Sequence, residues 1–74
     1  MVYANEEQVL HVRFNGRSFD VPLGTLDVGA RSRDGDVKRN LARHLEVDAS
    51  RFDDYVIDRH SNGNLTIRPE AVFG

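Results

Sequence analysis

Seventy-four residues, no cysteine and a formal net charge of −2 describe one small domain. The composition excludes disulfide staples, thiolate zinc sites and thiol catalysis, and the negative balance argues against generic nucleic-acid binding. No apolar run approaches the ~20 residues that span a bilayer, and the opening MVYANEEQ lacks the basic and apolar regions of a signal peptide, so a cytoplasmic domain with no membrane partner is expected.

Residues 1–7 read as a loose lead-in. Gln8 to Phe14 then alternates, with Leu10, Val12 and Phe14 on one side and His11 and Arg13 on the other, the pattern of a half-buried strand. Asn15-Gly16 follows, a dipeptide suited to a type I′ hairpin turn. Arg17 to Leu23 alternates again through Phe19, Val21 and Leu23. A two-residue loop sets Val12 opposite Phe19, Leu10 opposite Val21 and His11 opposite Asp20, so both apolar sets share one face. Pro22 cannot donate a ladder hydrogen bond, which makes the second strand an edge.

Leu23 to Arg33 is a connection in which Leu26 and Val28 are expected to pack as a short extended piece. Asp34 to Val47, DGDVKRNLARHLEV, is the only long helix. Val37, Leu41 and Leu45 recur at i, i+4 and i+8, with Ala42 beside them. Asp34 is expected as its N-cap. Asp36 in the first turn and Arg43 and His44 near the end suit the helix dipole. A helix of about 12 residues is marginal alone in water, so the rest of the chain must pack against it. Asp48 then begins a short turn, with Phe52 tucked under a sheet.

Tyr55 to His60 and Asn64 to Pro69 read as a second hairpin. A two-residue loop at Asn62-Gly63 would place Ile67 opposite Asp58. A three-residue loop, Ser61 to Gly63, places Ile67 opposite Ile57 and Leu65 opposite Arg59. The longer loop keeps Tyr55, Ile57, Leu65 and Ile67 together and gives Gly63 the left-handed position of a G1 bulge, so it is the expected one. Residues 70–74 form a tail.

Hairpin, helix, hairpin predicts an α+β domain: a four-stranded mixed sheet in the order 2-1-4-3, strand one parallel to strand four, with the helix across one face. The expected core is Leu10, Val12, Phe14, Phe19, Val21, Leu23, Val37, Leu41, Leu45, Val47, Phe52, Tyr55, Ile57, Leu65 and Ile67. By element order, residues 8–69 resemble the β-grasp, or ubiquitin-like, fold. Modifiers and sulfur carriers of that fold end in a glycine tail whose carboxylate is activated. Gly74 matches that tail, whereas Phe73 stands where a further glycine is usual.

Candidate chemistry is sparse. His11, His44 and His60 lie on three separate elements without ligand spacing. His11 opposite Asp20 reads as a surface cross-strand pair, and Asp53-Asp54 as solvated acids. DGDVK lacks the spacing of a phosphate loop. Neither metal nor cofactor is expected, and no enzymatic activity. Arg39 and Arg43 share a helix face, where Asp36 and Glu46 are each placed to offset one of them. The expected function is a small protein-interaction or regulatory module. Its candidate contacts are Arg13, Asp58 and Arg68 beside His11 on the outer sheet face, Arg39 and Arg43 on the helix, and Phe73 and Gly74 in the tail. A second copy could add to the edge of the second strand. The alternatives are a carrier activated at Gly74 and a nucleic-acid-binding domain using the helix arginines.

Overall fold

The structure, a computed structural model, describes residues 8–70. The lead-in before Gln8 and the tail residues Val72, Phe73 and Gly74 lie outside the described residues. The elements are β1 (Val9–Phe14), β2 (Arg17–Pro22), α1 (Asp34–Leu45), β3 (Tyr55–Arg59) and β4 (Leu65–Pro69). Two 3₁₀ turns, Leu23–Leu26 and Ala49–Phe52, flank the helix in sequence. The strands form one mixed sheet in the order β2-β1-β4-β3, with β1 parallel to β4 and both hairpin pairs antiparallel.

Both hairpins take the expected registers. Val12 faces Phe19 and His11 faces Asp20 across the first. Asn15 and Gly16 both have positive φ, +56° and +74°, as a type I′ turn requires. Across the second hairpin Ile67 faces Ile57 and Leu65 faces Arg59. The His60 amide donates to the Asn64 carbonyl at 2.9 Å, which closes a three-residue loop with Gly63 at φ +94°.

One sheet face and the helix enclose the core. Leu10, Val12, Leu65 and Ile67 from the sheet meet Val37 and Leu41 from α1, all fully buried. Phe52 is fully buried too and packs between Phe14 and Tyr55, tilted against the first ring and edge-on to the second, with ring centroids 5.0 Å from each. Burial of each such side chain contributes roughly 1.5–3 kcal/mol.

Four local expectations need correction. Leu26 is buried on a 3₁₀ turn, not on an extended piece, and it belongs to the core. Phe19, Leu45, Val47, Tyr55 and Ile57 are only partly buried, because they sit at the margins of the helix–sheet contact. Asp34 is the first helical residue, while the N-cap position is Arg33 without a side-chain cap. The Asp34 carboxylate instead receives Arg59. The helix also ends at Leu45, short of Val47. Glu46 turns to φ +61°, and the amides of Glu46 and Val47 bond back to the carbonyls of Arg43 and Ala42 at 3.2 and 2.9 Å. That is a Schellman closure with glutamate in the position where glycine is usual.

Candidate functional site

The outer sheet face gathers part of the expected surface. Arg13 is exposed there beside Ser18. Asp58 and Arg68 are adjacent on β3 and β4, and the Arg68 Nε–H donates to the Asp58 carboxylate at 2.8 Å. His11 Nδ1 lies 2.7 Å from an Asp20 carboxylate oxygen, and His60 Nε2 lies 2.8 Å from the Thr66 hydroxyl. His11, Asp20, Asp58, His60, Thr66 and Arg68 are therefore each held by a cross-strand neighbour, while Arg13 and Ser18 make no side-chain bond among the described residues. These exposed pairs contribute between nothing and roughly 1 kcal/mol each.

Arg39 and Arg43 lie on the far side of the molecule, exposed on the helix exterior. Arg39 pairs with Asp36 one turn earlier, as expected. The expected pairing of Arg43 with Glu46 does not form among the described residues, because Glu46 has left the helical path. The structure thus divides the expected contact residues between two opposite surfaces. No group of three or more histidine, aspartate or glutamate side chains is arranged to hold a metal ion among the described residues. Nor is any helix there long and apolar enough to cross a membrane.

Two features were not expected from the sequence. The first is Arg59. On the apolar face opposite Leu65, its guanidinium donates to the carbonyls of Ala30 and Ser32, at 2.7 and 2.6 Å, and to the Asp34 carboxylate. It ties the connection before α1 to the last residue of β3. The signal was present in the expected register, which already placed a charged side chain among inward-facing ones. The second is an open groove of about 510 Å³ between the tip of the first hairpin and the end of the helix, lined by Phe14, Asn15, Arg17, Phe19, Leu45 and Val47.

The two sheet edges differ in what they offer. In an antiparallel ladder, alternate residues turn their N–H and C=O toward the partner strand. The bonds from Leu23 to Gln8, from His60 to Asn64 and from Glu70 to Asp54 set the phase of that alternation. In β2, Ser18, Asp20 and Pro22 point outward, and Pro22 has no N–H. Its missing donor therefore costs the sheet nothing, which explains how a proline is accommodated there. In β3, Tyr55, Ile57 and Arg59 point outward. None of these three is a proline, and among the described residues no backbone bond from a loop reaches them.

The architecture defines a small α+β domain with a helix on one face of a mixed sheet and an open strand at β3. No family model, curated protein or solved structure matches this chain.

Proposed function

We propose that this chain is a non-enzymatic protein-interaction module of β-grasp type that recognises an extended protein segment along the free edge of β3. The observation that carries the reading is the run of outward backbone groups at Tyr55, Ile57 and Arg59, unpaired among the described residues. Strand addition uses such groups directly: backbone bonds supply affinity, and alternate side chains supply selectivity. Tyr55, Val56 and Ile57 are all partly exposed, so a docked strand has apolar surface to cover on both faces of the sheet. The strand order and the single helix across the sheet support the β-grasp comparison.

The test is an amide footprint. Isotopically labelled chain is titrated with a partner purified by affinity from the source cell. Protection and shift changes are expected at the Tyr55, Ile57 and Arg59 amides. A footprint confined to Arg39 and Arg43 on the helix exterior would overturn the reading. Substrate turnover by the purified chain alone would do the same.

A further inference from the structure

The β3 edge has a property beyond its being unpaired among the described residues: it is self-complementary. We propose that the segment recognised by β3 is the β3 strand of a second copy, running antiparallel about a twofold axis through Ile57. This inference rests on the reading of that edge given above and names its partner.

The argument is one of register. β3 is five residues long, and its outward positions are Tyr55, Ile57 and Arg59, symmetric about the middle residue. An axis at Ile57 sets Ile57 against its own copy and Tyr55 against Arg59 of the other chain. Every outward N–H then meets an outward C=O, and each facing pair exchanges both of its bonds. The two sheets become one continuous sheet. On the helix side the two partly exposed Ile57 side chains cover one another. On the outer side Val56 faces Asp58 of the other copy, so no two like charges stand directly opposed.

The β2 edge is the poorer candidate. Only Ser18 and Asp20 present both an outward donor and an outward acceptor, because Pro22 has no N–H. An axis at Asp20, the central outward residue, would put two carboxylates face to face and set Ser18 against Pro22. An axis at Phe19 avoids that clash and uses Ser18 and Asp20 alone, one position fewer than β3 offers. A homodimer through β2, the arrangement expected from the sequence, therefore forms a shorter ladder than one through β3.

The experiment is sedimentation equilibrium on the full chain, combined with amide exchange measured at rising concentration. The expected result is association from 8.4 kDa to twice that mass. Exchange at Tyr55, Ile57 and Arg59 slows with concentration, while exchange at Ser18 and Asp20 does not. Val56→Asp retains a favourable neighbour within its own chain, Arg68, but faces Asp58 of the other copy twice over. It is expected to weaken the dimer about two- to thirtyfold, and the neutral Val56→Thr to leave it within about twofold of the parent. A single 8.4 kDa species throughout would overturn the proposal. So would protection that moves to Ser18 and Asp20, or a dimer indifferent to Val56→Asp. If the chain stays monomeric while a different protein protects the β3 amides, the second copy is refuted and the interaction reading stands. If neither protects them, both fall.

Discussion

Glu46 holds the left-handed position that ends α1, at φ +61°, and its own amide and that of Val47 depend on it for their partners. A residue with a Cβ is strained there by about 1–2 kcal/mol, less what glycine loses through its freer unfolded chain. Glu46→Gly is therefore expected to stabilise the domain by about 0.5–1 kcal/mol, read from urea denaturation midpoints at constant slope. Arg59 sits at the other extreme, a side chain whose geometry matters. Three oxygens, the Ala30 and Ser32 carbonyls and the carboxylate of Asp34 at the start of α1, receive its planar fork, and lysine has no equivalent geometry. The side chain is 38% exposed, so solvent screens part of the interaction. Arg59→Lys is expected to cost about 1–2 kcal/mol and to speed amide exchange at Ser32, with the β-sheet amides less affected. Gly63 combines φ +94° with close approach: a Cβ would fall 2.1 Å from the Gln8 side-chain amide, whereas one at Gly16 meets nothing within 4 Å. Gly63→Ala and Gly16→Ala should both destabilise by about 1–2 kcal/mol. The two should be nearly equal in a melt, because the clash at Gly63 is with the mobile end of Gln8. A much larger loss at Gly63 would mean that Gln8 is held in place.

At the scale of the element, the helix depends on the sheet. Leu41 is fully buried at the centre of the contact, so Leu41→Ala is expected to cost about 2–5 kcal/mol, while truncation of the half-buried Leu45 should cost clearly less. Comparing the two by thermal denaturation measures how far along the helix the tight packing extends. This unevenness was not legible in the sequence. Val37, Leu41 and Leu45 form one uniform stripe by period, and period carries no information about where the sheet beneath comes to an end. The hairpins were legible, because turn chemistry and alternation point independently to one register: Asn15-Gly16 and Gly63 set the loop lengths, and only one phase puts the apolar side chains together. Leu26 was expected on an extended piece because a single 3₁₀ turn repeats nothing that would mark it. The role of Arg59 went unread for a different reason. Its inward placement followed from the register, but its partners Ala30 and Ser32 are backbone carbonyls of a connection whose path has no periodic signature.

At the scale of the molecule, residues 31–44 carry five basic side chains against two acidic and residues 46–58 carry five acidic against one basic, yet this segregation does not become one large field. Asp36 answers Arg39, Asp34 answers Arg59 and Asp58 answers Arg68, so several arginines have their counter-charges within the domain. The candidate contacts divided accordingly between the outer sheet face and the helix exterior. No single surface was legible in advance, because strand order says which strand lies at an edge but not which backbone groups that edge leaves unpaired. That distinction needed the phase of the ladder, and the phase came from individual bonds such as Glu70 to Asp54.

Pro22 has a consequence for growth. A sheet equally receptive on both flanks can lengthen without limit, each added molecule presenting a fresh site on its far side. Here one flank is a worse template than the other, so addition should stop at a closed pair instead of running on into a filament. Restoring the missing donor with Pro22→Val should remove that stop, and thioflavin fluorescence rising with time in the variant but not in the parent would reveal it.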